Sequence, residues 1–296
     1  MEYLHLFNTK SEHDSLRNGN NYKEPWLAYV RDEALVTGNK PHDYSKDYLT
    51  FKALEDASFT IEINKSLTIV SFSYSIDNGK TWVNIASETP TPTVTAGNKI
   101  LFKAVLDGAS DFGYITSTGR YEAMGNPYSM LYGDNFRGKL NIRDKSNLLS
   151  YMFAYDINLV SAENLSLPAT TFTDNCYEHM FEGCTSLIAA PKILPALSLQ
   201  QNCYRSMFSG CTSLIKAPIL PASTLVDSCY CYMFDGCTSL NYIKMLATNI
   251  IDSSATTRWV RNVSSTGTFV KHPNMVSLSS GNDGIPTGWT VQTESA

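Results

Sequence analysis

Hydrophobic and polar positions follow two rhythms along this chain. Between 48 and about 105 the period is two. The stretches "YLTFKAL", "SFTIEI", "SFSYSI", "TWVNIA" and "KILFKAV" are short runs of aromatic or β-branched residues alternating with polar ones, the pattern of half-buried strands. Turn-forming segments such as "DNGK" and "TPTPTVTAGN" separate them. This pattern predicts a small antiparallel β-sandwich. A Gly- and aromatic-rich segment, "FGYITSTGRYEAMGNPYSMLYGDNF", reads as further strand and turn and carries the β region over 48–140.

From 141 to 296 a longer period takes over. "CYEHMFEGCTSL" at 176–187 returns as "CYRSMFSGCTSL" at 203–214 and "CYCYMFDGCTSL" at 229–240. Met-Phe pairs at 152–153, 180–181, 207–208 and 233–234 give steps of 28, 27 and 26 residues. Between these blocks lies a second shared string: "NLSLPATT", "KILPALS" and "PILPAST". A fixed period in the twenties is the mark of a solenoid, whose units cannot bury their faces alone and stack like on like. Each unit reads as one or two helical turns capped by Asp174 or Asn175 and ended by Gly183. A short extended run and a proline-rich return complete it. The first unit, "LLSYMFAYDINL", departs from the pattern, with Leu148 and Asp156 at the two Cys positions and Tyr155 at the Gly position. "SSATTRWVRNV" predicts a closing helix with Trp259 as its lid, and "GTFVKHP" and "GIPTGWTVQ" predict final strands. The expected fold is mainly β with short helices: an N-terminal arm, a β-sandwich and a repeat solenoid with end caps.

The cysteines fall into two files, Cys176, Cys203, Cys229 and Cys184, Cys211, Cys237, with Cys231 left over on what reads as the exposed side. Three readings compete: buried packing ladders, disulfides between rungs, and a metal site. The C-x7-C spacing is unlike that of zinc sites, and stacked like residues favour a ladder of small hydrophobes. Tyr177, Tyr204 and Tyr230 recur beside the first file. They read either as an aromatic stripe for a ligand or as half-buried packing.

Residues 1–47 are polar and hold one aromatic patch, "YKEPWLAYV", containing Tyr22, Pro25, Trp26 and Tyr29. Such a segment is ordered by docking. It reads as an attachment arm or as a tail wrapped along the sandwich. "SIDNGKTW" at 75–82 fits the Asp-box pattern and reads as a hairpin device, not as glycosidase chemistry. None of the five histidines stands in a metal-ligand pattern, and His179 reads as a surface residue. No nucleophile elbow or phosphate loop is present. No enzymatic activity, metal or cofactor is therefore expected. The net charge of −5 with no basic block excludes nucleic acid as an expected partner. No run approaches the length of a membrane helix, so no membrane insertion is expected.

The "CYxxMFxGCTSL…LPA" units resemble the BspA-type leucine-rich repeats of gut Bacteroidales and their phages. Together with "YKEPWLAYV…DYLTFKALEDASFTI", "FSYSIDNGKTW", "TSTGRYEAMGNPYSMLYGDNF" and "STGTFVKHPNM…GIPTGWTV", the chain resembles multi-domain structural proteins of crAss-like and related Bacteroides phages. The resemblance implies a virion head or tail fibre, a homodimer or homotrimer. The N-terminal region would contact capsid or tail proteins, and the solenoid a glycan or protein of the bacterial surface. The alternative is a BspA-type adhesin on the bacterial cell surface. The N-terminus has neither a basic n-region nor an apolar h-region. That favours the virion reading, because phage parts assemble in the cytoplasm whereas an adhesin must be exported.

Overall fold

In the computed structural model the described residues are 42–108, 110–140, 147, 149–170, 172–275 and 278–294. The four candidate attachment residues Tyr22, Pro25, Trp26 and Tyr29 lie outside them. Tyr44–Ala296 forms one compact unit, and it is mainly β. A 3-10 turn at Tyr44–Lys46 leads into β1 (Leu49–Ala53), β2 (Phe59–Ile63), β3 (Thr68–Ser75), β4 (Val83–Asn84), β5 (Lys99–Asp107), β6 (Gly113–Ser117) and β7 (Tyr121–Gly125). A four-residue helix, α1 (Ser129–Tyr132), and a 3-10 turn precede β8 (Leu159–Leu165). Then come β9 (Thr224–Leu225), β10 (Tyr242–Met245), β11 (Asn249–Ile250), β12 (Thr268–Lys271) and β13 (Thr290–Thr293).

The period-two stretches become strands because alternate residues have somewhere apolar to go. Six strands form one sheet in the order β4-β3-β5-β1-β7-β8, and β2 and β6 form a second. The two meet through Phe59, whose ring lies 5.0 Å from Phe51 of β1 and 5.1 Å from Tyr121 of β7. The Asp-box closes the turn after β3. Asp77 accepts from the Thr81 N–H (2.9 Å) and hydroxyl (2.6 Å), and Ser75 Oγ accepts from the Gly79 N–H (2.9 Å). Asn78 and Gly79 take the left-handed φ of 60° and 81° that such a turn requires. Trp82 then packs edge-on to Tyr48 at 4.9 Å, beneath the Lys103 ammonium at 4.3 Å.

The pairing within the sheet is antiparallel except at β7–β8, which is parallel. The sheet therefore crosses the expected boundary at 140/141, with register shifts along β7 where it meets β8. The parallel run continues as Ser161↔Ala189, Ala189↔Lys216 and Lys216↔Tyr242 bridges, then β10–β12 and β12–β13. The units lie on one another in the order of the sequence.

The expected helices do not form. Residues 175–184 are overlapping β-turns: Glu178 N–H bonds to Asn175 O, Met180 to Tyr177, Glu182 to His179 and Cys184 to Phe181. The alternate residues donate to the next unit: Tyr177 to Cys203 O at 3.0 Å, His179 to Arg205 O at 3.0 Å, Phe181 to Met207 O at 2.9 Å. Every fourth residue is left-handed: Asn175 (φ 59°), His179 (58°) and Gly183 (70°). Asn175 is thus a turn residue, not a helix cap. The side chains go two in, two out, which gives a period of four. An α-helix of period 3.6 uses its backbone groups internally and could not bond sideways to its neighbour. "SSATTRWVRNV" is corrected in the same way. After a 3-10 turn at Ser253–Thr256 it forms another such run, accepting from Tyr230, Tyr232, Phe234 and Gly236 N–H. Trp259 is fully buried within it, its Nε1–H donating to Gly284 O at 2.8 Å.

Candidate functional site

No catalytic constellation was expected, so the candidate site is the stack of repeats: what it buries and what it leaves facing water. Inside, like residues do lie on like. Phe153, Phe181, Phe208 and Phe234 form a file with centroid spacings of 5.3, 5.3 and 5.7 Å and planes within 9° of parallel. Tyr177, Tyr204 and Tyr230 form a second, at 5.8 and 6.1 Å. These tyrosines are 0–1% exposed, so they are not a ligand-binding stripe on the surface. Tyr177 shares a hydrogen bond with Tyr128, O to O 3.1 Å, while the Tyr204 hydroxyl is buried with no hydrogen-bond partner. Phe172 fills the angle between Tyr177 and Tyr204, edge-on to both. Tyrosine at this position is therefore core volume.

All seven cysteines are free and buried. Cys231, expected on the exposed side, is 6% exposed. In the second file each thiol has a job a disulfide would forfeit. Cys184 Sγ–H donates to Phe153 O, Cys211 to Phe181 O and Cys237 to Phe208 O, each at 3.0 Å. Each bond reaches back one unit and ties neighbours together. In the first file Cys176 Sγ–H donates within its own unit to Thr173 O at 2.9 Å. Burial pushes the Cys184, Cys203 and Cys211 thiols well above their usual range and Cys229 up to about 12. Such thiols are unreactive. Titration of the native protein with an aromatic disulfide reagent is expected to modify none of the seven promptly, and all seven after denaturation. Rapid reaction of a native thiol would contradict the buried files.

Outside, the left-handed positions carry a polar group around His179. Its ring stacks on Tyr151 at 4.6 Å and 11°. Nδ1 lies 2.6 Å from Glu182 and Nε2 3.4 Å from Glu178, which is in turn 3.8 Å from Arg205 Nε. Burial alone would lower the histidine pKa, but the two carboxylates outweigh it and push it up to about 9. The imidazole is a cation held by structure at neutral pH, not a base waiting for a proton. Its stabilising effect is complete below the ordinary histidine pKa and is lost as pH rises through about 9. His179 is thus half-buried in a clamp, and not the plain surface residue its variable position indicates.

At the next corner of the units Thr185, Thr212 and Thr238 form an exposed file. The Thr212 hydroxyl donates to Thr185 O and the Thr238 hydroxyl to Thr212 O, both at 3.3 Å. Tyr155 (59% exposed), Ile157 (60%), Ile188 (43%) and Ile215 (47%) lie in and beside this corner. The bare glycine file Gly183, Gly210, Gly236 runs next to it, with the Tyr155 ring lying over Gly183. These exposed residues stand on backbone fixed by two sets of hydrogen bonds, and apart from Tyr155, noted at the Gly position, sequence reasoning did not single them out. The signal was present: apolar residues recur at 188 and 215 immediately outside the buried Leu187 and Leu214.

Among the described residues no group of three or more His, Cys, Asp or Glu is placed to hold a metal ion, and no helix is long and apolar enough to cross a membrane. The chain matches no protein-family profile, no curated protein and no solved structure.

Proposed function

We propose that this chain is a non-catalytic phage virion protein, a head or tail fibre whose stacked units are a leucine-rich-repeat-type solenoid presented to the bacterial surface. The N-terminal region, with Tyr22, Pro25, Trp26 and Tyr29, attaches it to capsid or tail proteins. The observation that carries this reading is the register of the stack. Backbone bonds between successive units, buried ring files and thiol–carbonyl ties hold the threonine and isoleucine corner rigid. A rigid, side-chain-dense face loses little entropy when it binds a glycan or protein. Thiols used as hydrogen-bond donors support assembly in a reducing compartment. The sequence resemblance supplies the virion context.

Mass spectrometry of purified phage particles, with immunogold microscopy using antibody to residues 141–296, tests it. Gold on capsid or tail is expected. Label on intact bacterial cells and none on particles overturns the virion reading in favour of a surface adhesin.

A further inference from the structure

Among the described residues the parallel ladder ends at β13. β13 pairs with β12 on one side, and among the described residues no strand pairs with its other side. Thr290 N–H donates to Gly267 O at 2.9 Å and Glu294 N–H to Lys271 O at 2.8 Å. Even-numbered residues therefore bond inward, and the N–H and C=O groups of Val291 and Thr293 face outward. All four β13 side chains are exposed, Val291 at 46%.

The opposite end of the sheet is managed differently. β4 has only two residues. The outer half of β3, beyond the reach of β4, carries a register shift between Ile69 and Ser71. A bulge there bends the strand and spoils it as a template. β13 has none of these protections. Its register with β12 is regular across all four pairs, and it contains no Pro, Lys or Arg. The carboxylate that follows it, Glu294, is taken up by Lys244 at 2.6 Å.

We propose that β13 is a dimer interface, in which two copies pair antiparallel through this strand about a two-fold axis and join their ladders into one sheet. The occupant follows from the strand itself. Antiparallel pairing lets Val291 exchange both hydrogen bonds with the partner's Thr293, and Thr293 with the partner's Val291. Gln292 then faces its own equivalent on the axis. The pairing residues Thr290–Thr293 are uncharged, so symmetry sets no like charges opposite each other. Head-to-tail pairing of β13 onto β3 would have to use the bulged edge and would grow an open filament instead of a closed pair. The inference stands apart from the virion reading, since it needs only the edge.

The full chain is the material for the test. Light scattering during gel filtration is expected to give twice the 32.8 kDa chain mass. The double variant Val291→Pro/Thr293→Pro removes only outward N–H groups. It is expected to keep the far-ultraviolet circular dichroism of the parent and to run at the single-chain mass. Gln292→Cys gives a second, independent readout. Facing residues of a non-hydrogen-bonded pair lie about 4.5 Å apart at Cα, within disulfide reach. Mild oxidation should convert that variant to a covalent dimer, and the buried native thiols do not compete. A wild-type monomer overturns the proposal. So does a dimer that survives the double proline variant without cross-linking through Gln292→Cys, because another surface then holds it. A wild-type monomer in which residues 1–41 protect β13 amides from hydrogen exchange would place that segment on the edge instead.

Discussion

Phe181→Ala is expected to destabilise the protein by about 3–5 kcal/mol, the cost of emptying a fully buried aromatic site. Phe181 has 0% exposure and is stacked on both faces, at 5.3 Å from Phe153 and 5.3 Å from Phe208. Its neighbours cannot close in to fill the gap. Its N–H and C=O are pinned, the first to Met207 O at 2.9 Å and the second to the Cys211 thiol at 3.0 Å. The spacing of the units is set by backbone hydrogen bonds, so a missing ring leaves a cavity and not a shorter stack. Urea denaturation followed by tyrosine and tryptophan fluorescence measures the loss. The comparison is Ile188→Ser, whose side chain is 43% exposed and whose replacement should shift stability by about 0.5 kcal/mol or less. Equal losses in the two variants would mean that the phenylalanine file is not what holds the units together.

The repeat and the strands of the β region were legible in the sequence because each rests on a local rule. Alternation at "SFTIEI" places Phe59, Ile61 and Ile63 on the buried face of β2, and the turn residues of "SIDNGKTW" close a hairpin whatever surrounds them. The turn runs were misread for a physical reason. "CYEHMFEGC" puts Cys176, Met180 and Cys184 four apart, and over nine residues a period of four is hard to tell from 3.6. The distinguishing sign is the left-handed residue at every fourth position, obvious as Asn175 and Gly183 but hidden by His179 between them. A histidine accepts that conformation here because its N–H bonds to Arg205 O and its side chain is clamped. Both are tertiary facts. The same holds for Tyr177, Tyr204 and Tyr230. Amphipathic residues beside a cysteine file could face either way. Phe172, which reaches over from the preceding return, covers Tyr177 and Tyr204, and Trp259 covers Tyr230. The pairing of β7 with β8 was invisible for a further reason. Parallel partners are not joined by a turn, so no local signal marks them.

Asp156→Asn is expected to stabilise the protein at pH 8 by about 1–3 kcal/mol and to remove a pH dependence between about 4 and 6. Asp156 occupies the place that Cys184, Cys211 and Cys237 hold in later units, but in the first unit there is no earlier phenylalanine carbonyl to receive a thiol. The carboxylate instead accepts from the Tyr121 hydroxyl of β7 at 2.9 Å and the Asn158 N–H at 2.9 Å, tying the repeats to the sheet. It is 3% exposed. Burial raises its pKa to about 6, more than the hydrogen bonds from Asn158, Tyr121 and Leu159 lower it. The folded-state value lies above the ordinary one, so the sign is the reverse of a salt-bridged aspartate. Its contribution is fully present below the unfolded value near 4. It is lost as pH rises through about 6, because the unfolded chain ionises freely and the folded one resists. A gap of roughly two units corresponds to about 3 kcal/mol at most. Asparagine fits the same site. Its oxygen accepts from the Asn158 N–H and its amide donates to the tyrosine oxygen, so the Tyr121 hydroxyl proton gives up its acceptor and the gain falls short of the full ~3 kcal/mol. Chemical denaturation of parent and variant at pH 5 and pH 8 isolates this group, since every other titration is common to both. If the difference in stability between them is the same at both pH values, Asp156 is not the buried acid that joins the two parts of the fold.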